Sequence, residues 1–324
     1  MSVIKKQHYV PQGSLRRFAN IRGQLYVFDK YTRRSFVSVV HDVANSNYFY
    51  DFGPDVVEEV VANIDAHPEL GITLEQRQRL LDPQLIEHQL GENVDARFPH
   101  LLDEIVQAAE HVGAMTEEQR SELSVLLSVQ LLRLPRHRQY LIKMYEKTVK
   151  GVSQRILAMH YGMEAMDWVR VKFDKKYAGA YHGQTIFNSE WLDTYSKVLA
   201  THIWRIGRND TDQAFYTSDH PVVLHSHLNQ GSYGIGSPGI EICIPLGPQY
   251  MLMLCDRNFF ASYAALDRKL VPLTEENVTF FNSLQVNQCT QQVFCPNGQY
   301  TLAAEMCAAD PSLSVPRKEL LITN

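Results

Sequence analysis

Three side chains able to move protons stand far apart in this chain: His8, Glu87 and Asp219. An imidazole titrates near neutrality and serves as general acid, general base or ligand. His8 lies in Lys5-Lys6-Gln7-His8-Tyr9-Val10-Pro11, where Pro11 holds Val10 extended and so presents the histidine on an arm. The competing role is mechanical: a histidine whose hydrogen bonds fasten the arm to the body. Glu87 is followed eight residues on by Asp95, about two helical turns and roughly 12 Å of rise away. Both carboxylates can face one way at that spacing, but they cannot grip a single metal ion. Each can instead pair with its own arginine. Asp219 sits in Thr217-Ser218-Asp219-His220-Pro221, between two predicted strands, and loops held by rigid strands commonly carry binding groups. It can orient a histidine, hold a metal or act as a base, with Ser218 as a hydrogen-bond donor. The same two residues can also close a turn on local backbone.

The residues suited to phosphate cluster in two places. Arg16 and Arg17 follow the arm, with Tyr9 nearby as a surface on which a base can stack. Gln130, Arg133 and Arg136 close an otherwise apolar run that ends at Leu134-Pro135. A guanidinium fork takes carboxylate or phosphate bidentately. Gln130 and Arg133 share a helix face, and a buried amide must find partners. The alternative is an internal ion pair of Arg133 with Glu87 or Asp95, tying an acidic helix to a basic one. His225 and His227 flank Ser226 and, with His220, form the densest histidine cluster, yet the spacing matches no zinc motif. No metal ligands are assigned from this pattern, and a divalent cation stays open as a cofactor.

Charge supports the same chemistry. The overall net charge is −5, but residues 1–40 carry eight Lys or Arg against Asp29 alone, a net of +7. Residues 51–122 carry seventeen carboxylates against four arginines, a net of −13, and residues 133–176 return to +7 with eleven basic and four acidic residues. Such blocks create local fields that an average conceals. Either the basic segments pack against the acidic one, or they form a basic surface for phosphates. The five cysteines lack a CxxC pair and read as reduced thiols of a cytoplasmic protein. No apolar run reaches the roughly eighteen residues of a membrane span, and no secretory h-region follows Lys5 and Lys6. The P-loop, GxSxG and HExxH motifs are absent.

The elements that must position these residues fall into three parts. Residues 24–28 and 35–39 are β-branched and aromatic and predict a hairpin, with Asn47-Tyr48-Phe49-Tyr50 closing a small β unit over 1–52. The middle, 53–200, is helical. A helix spans 55–66, and a long one opens at Pro83 and is kinked or broken by Pro99. A capping box at Thr116-Glu117-Glu118-Gln119 opens the most apolar helix, and another runs from about Arg136 to Met159. From 201 to 324 the pattern is β-rich: strands at 214–217, 222–224, 240–244 and 250–254, a helix over 275–288, and a last strand at 292–295. At 324 residues the chain is long enough for two cores; the pattern nevertheless predicts one integrated α+β domain, its C-terminal sheet mixed or antiparallel.

His8-Tyr9-Val10-Pro11, Leu15-Arg16-Arg17-Phe18-Ala19 and Leu25-Tyr26-Val27-Phe28-Asp29-Lys30 together resemble the opening of the DUF4238 family, a bacterial domain of unknown function. Ile86-Glu87 with Val94-Asp95, Gln130 to Arg136, Thr217 to Val222 and Ile244-Pro245-Leu246 fit the same pattern in order, so the resemblance spans about 7–296. Position 95 holds aspartate where that pattern has glutamate. The resemblance implies no activity, so the expectation rests on the residues. It is a hydrolase for a phosphate-bearing substrate such as nucleic acid or a nucleotide. His8 would be its acid/base, Glu87 and Asp219 its carboxylates, and Arg16, Arg17 and Arg133 its clamps. Tyr9, Gln130, Arg136 and Ser218 would complete the substrate contacts. The alternative is a non-catalytic binding or scaffold protein in which the arm is an anchor. The two differ on whether these groups meet in an open cleft.

Overall fold

The computed structural model describes residues 3–228 and 231–316. The arm forms β1 (Lys6–His8) and a single helical turn, α1 (Gln12–Arg16). The hairpin is β2 (Gln24–Asp29) and β3 (Arg34–Val39), paired antiparallel with Phe28 opposite Ser35. The following strand differs from expectation. It is β4 (Asn45–Asn47), which stops before Tyr48 and pairs with β1, His8 facing Asn45, rather than closing the hairpin. Tyr48 turns the chain at a φ of 53°, and this sends Tyr50 into the helical core, fully buried.

The helical middle comprises α2 (Pro54–Ala66), α3 (Leu74–Leu80), α4 (Leu85–Leu90), α5 (Arg97–Val112), α6 (Glu117–Arg133), α7 (Pro135–Tyr161), α8 (Ala178–Ile186) and α9 (Ser189–Thr201). A π-helical turn at Gly91–Asp95, closed by the Ala96 N–H on the Gly91 carbonyl at 3.3 Å, separates α4 from α5. It falls just before Pro99, where the helix must accommodate a missing N–H and a bulky ring. The capping box of α6 forms as its sequence predicts: the Gln119 N–H donates to Thr116 Oγ1 at 3.2 Å, and the Thr116 N–H donates to Gln119 Oε1 at 2.9 Å. Leu134, extended at ψ 146° ahead of Pro135, ends α6 and turns the chain into α7.

The last third supplies β5 (Ile203–Asn209), β6 (Thr217–Ser218), β7 (Val223–Ser226), β8 (Ile240–Gly247), β9 (Tyr250–Cys255), β10 (Leu270–Leu273), α10 (Glu275–Gln288), β11 (Gln292–Cys295) and α11 (Thr301–Ala309). One sheet runs β10-β5-β9-β8-β7, antiparallel except that β10 lies parallel to β5. The other runs β3-β2-β11-β6, so the N-terminal hairpin is extended by a strand from the far end of the chain. One apolar cluster reaches from Tyr50 through Leu101 and Leu127 to Leu254, joining the helices to the larger sheet. The fold is α+β. No helix among the described residues is long and apolar enough to cross a membrane.

Candidate functional site

The arm is fastened through its own backbone. Arg133, at the end of α6 and fully buried, donates to both oxygens of Asp95 at 2.5 and 3.2 Å and to the His8 carbonyl at 2.5 Å. One turn earlier, Gln130 Nε2 donates to the Tyr9 carbonyl at 3.0 Å. The Tyr9 N–H reaches the Ala44 carbonyl at 3.1 Å, and the Tyr50 hydroxyl donates to the Arg133 carbonyl at 3.1 Å. Burial opposes the charge of Arg133, but Asp95 more than offsets it and the guanidinium is held cationic. This is the internal ion pair foreseen from the charge blocks, with Asp95 rather than Glu87 as partner.

His8 itself is 3% exposed. Its Nδ1 lies 3.4 Å from Gln12 Nε2, and Nε2 makes no hydrogen bond of normal geometry. Burial, reinforced by His41 and Arg133, lowers its pKa to about 4. Glu87 is half-buried beside the same charges with Oε2 unpartnered, and burial raises its pKa to about 7 against the pull of Arg133. His8, Glu87, Asp95 and Arg133 therefore come together, in a closed knot.

Asp219 is held elsewhere. Its two oxygens accept the backbone N–H groups of Thr290, Gln291 and Gln292 at 2.7, 2.8 and 3.0 Å. Burial raises its pKa to about 6 although those donors oppose the shift. Its charge reaches the arm only as a contribution, after burial, to the raised pKa of the Tyr9 phenol. Ser218 Oγ donates to Gln285 Oε1 at 2.7 Å and accepts from the His220 N–H at 3.1 Å. Gln285 belongs to a ladder that the sequence reading missed. Along α10, Asn282 pairs with the Tyr216 N–H and the Ala214 carbonyl, Gln285 with Ser218 and the Pro221 carbonyl, and Gln288 with both backbone groups of Leu224. Neutral amides three residues apart on one helix face thus satisfy polar groups along 214–224, from before β6 to the start of β7, that strand pairing leaves over. That spacing was the available signal.

The basic residues divide between the interior and the surface. Arg17 pairs with Asp103 and the Leu246 carbonyl, whereas Arg16 donates to Gln12 at 3.1 Å on an exposed face. Arg136 opens α7 and lines a cleft of about 540 Å³ together with His137, Tyr140, His220 and Tyr233. Among the described residues no carboxylate lines this cleft. α7 carries Pro at its first turn and no side-chain cap, so the positive end of a 27-residue helix faces the same region. His137 is held neutral, its pKa lowered to about 4 by burial. The wall behind it contains Arg138, whose guanidinium lies 3.5 Å over the Phe49 ring and donates to His182 Nδ1 at 3.0 Å. His182 in turn donates to the Leu132 carbonyl at 2.7 Å. Its members come from four separate segments, so no local pattern announces that relay.

His225 and His227 pack ring against ring at 4.5 Å, and His227 Nε2 lies 2.9 Å from Glu241. Among the described residues no group of three or more His, Cys, Asp or Glu is arranged to hold a metal ion. The molecule is thus an α+β protein with a closed, arm-bracing charge knot and an adjacent open cationic and aromatic cleft. The chain belongs to the family described as Protein of unknown function (DUF4238), whose model matches residues 6–298. No curated protein and no solved structure matches it.

Proposed function

We propose that this protein binds a phosphate-bearing ligand, a nucleotide or nucleic acid, in the cleft at the start of α7, and that the HYVP arm is the brace holding that corner in place. The observation that carries the reading is Arg136 beside two imidazoles, His137 and His220, in a cleft that no carboxylate lines among the described residues, at the positive end of a long helix. A cleft of about 540 Å³ is of ordinary ligand-binding size. The five free, buried cysteines agree with a reducing, cytoplasmic setting. Titration calorimetry at low salt with inorganic phosphate, a nucleoside monophosphate and a single-stranded oligonucleotide tests the reading. Saturable binding that Arg136→Gln removes supports it. Absence of saturable binding by all three, or affinities unchanged in Arg136→Gln, overturns it.

A hydrolytic extension has one observation in its favour, the two imidazoles lining the cleft with Arg136. A neutral His137 can accept a proton there. His8 and Glu87 line neither this cleft nor the smaller one beside it, so in this reading proton transfer moves to His137 and His220. Cleavage of RNA, DNA or nucleotides, with magnesium, manganese or no metal, should fall about a hundredfold or more in His220→Ala. Undiminished cleavage in that variant would remove the extension.

A further inference from the structure

The cleft at Arg136 does not end there. A second cleft of about 170 Å³ meets it at Arg136 and Gln288, with Tyr31, Gln139 and Thr290 on its far wall. Gln288 is committed to Leu224 through both ends of its amide and serves as wall. Arg136 therefore stands between two cavities, each with aromatic surface: His137 and Tyr140 on one side, Tyr31 on the other.

The second cavity is a built feature. Tyr31 stands at the tip of the β2–β3 hairpin, where Asp29 Oδ1 accepts the N–H groups of Tyr31 and Thr32, each at 2.9 Å. Lys30 Nζ crosses to the Cys289 carbonyl at 2.5 Å, and Gln291 Nε2 donates to Asp29 Oδ2 at 2.6 Å. The opposite wall is fixed by Asp219, whose carboxylate gathers the N–H groups of Thr290 to Gln292. The hairpin tip and the loop before β11 are thus clamped together beside Arg136.

We infer that the ligand is a single-stranded nucleic acid segment, with one phosphodiester at Arg136 and its two neighbouring bases in the two cavities. The inference rests on the phosphate-binding reading above and adds the second subsite. Alternation of aromatic, cation and aromatic follows the base, phosphate and base of a strand, and stacking of this kind tolerates any base. Among the described residues no carboxylate lines either cavity, which disfavours a cationic or basic-peptide ligand. Tyr31 is the specificity-determining residue: it separates a strand from a mononucleotide, which fills one cavity only.

Calorimetry with uridine monophosphate, the dinucleotide UpU, a single-stranded oligouridine hexamer and a duplex RNA tests this. UpU should bind on the order of tenfold more tightly than the monophosphate, and the hexamer at least as tightly as UpU. Tyr31→Ala should erase that tenfold advantage, weakening UpU more than the monophosphate, and Tyr31→Phe should keep it. The slope of log K against log salt should be shallow, about −0.7 for each phosphate contacted. Equal affinity for UpU and the monophosphate, equal weakening of both by Tyr31→Ala, or tighter binding of the duplex overturns the strand proposal alone. Failure of every ligand to bind overturns the phosphate reading with it.

Discussion

Arg133 and Arg136 stand three residues apart on either side of the Leu134-Pro135 corner, and they live in opposite environments. Arg133 is fully buried, its fork shared between Asp95 and the His8 carbonyl. Arg136 lines two clefts that meet beside it. The same side chain is a bolt in one place and a contact surface in the other, and the break between helices decides which. Residue type alone does not separate a site from a brace; position relative to the clefts does. Around Arg133 the guanidinium and the Gln130 amide hold the backbone of the arm, and Asp95 holds the guanidinium. Around Arg136 two histidines and two tyrosines line the larger cleft, backed by the relay from Arg138 to His182.

The largest effect should come from the closed side. Arg133→Met leaves Asp95 and the His8 carbonyl without their donor, and breaking a buried pair in this way costs about 3–5 kcal/mol. Urea unfolding should show that loss, and Arg133→Lys should restore little of it, because an ammonium cannot fork across both Asp95 oxygens. A fully stable Arg133→Met would mean that the arm is held by apolar packing instead.

The amide ladder offers a neutral counterpart. Gln285→Leu strands Ser218 and the Pro221 carbonyl, and two such buried groups should cost roughly 2–3 kcal/mol. The loss should be independent of pH and of salt, unlike anything in the charged knot. A pH-dependent loss would place Asp219 rather than Gln285 at the centre of that segment.

Glu87 gives the charged knot its pH signature. Its folded pKa of about 7 lies above the ordinary 4.5, so the folded state holds the proton more tightly than the unfolded chain. Its contribution is fully present below about pH 4.5 and is lost as pH rises through 7. Glu87→Gln, compared with the parent protein across pH 5 to 8, should gain roughly 1–2 kcal/mol at the alkaline end. A difference that does not change with pH would show Glu87 to be solvated.

Much of the scaffold was legible in the sequence because local rules govern it. The Thr116 capping box, the hairpin of residues 24–39 and the helix over 275–288 all form where periodicity and caps place them. The short strand β4 differs from expectation because its pairing is with the arm, which no local pattern announces. β5 and β10 were overlooked for the same reason, since their order in the sheet is set by distant neighbours. Of the candidate site, the pairing of Arg133 with a carboxylate was readable from charge and spacing. The cleft was not, because Tyr31, Arg136, Tyr233 and Gln288 come from four segments whose convergence only the fold creates.

The central claim is that ligand chemistry belongs to the open cleft and the HYVP arm only supports it. It is tested most directly by titrating a single-stranded oligonucleotide into Arg136→Gln and His8→Gln side by side, with a thermal melt of each. The account predicts that Arg136→Gln loses binding while still melting as a folded protein, and that His8→Gln keeps the parental affinity. Loss of binding in a well-folded His8→Gln, with Arg136→Gln still binding normally, would contradict it.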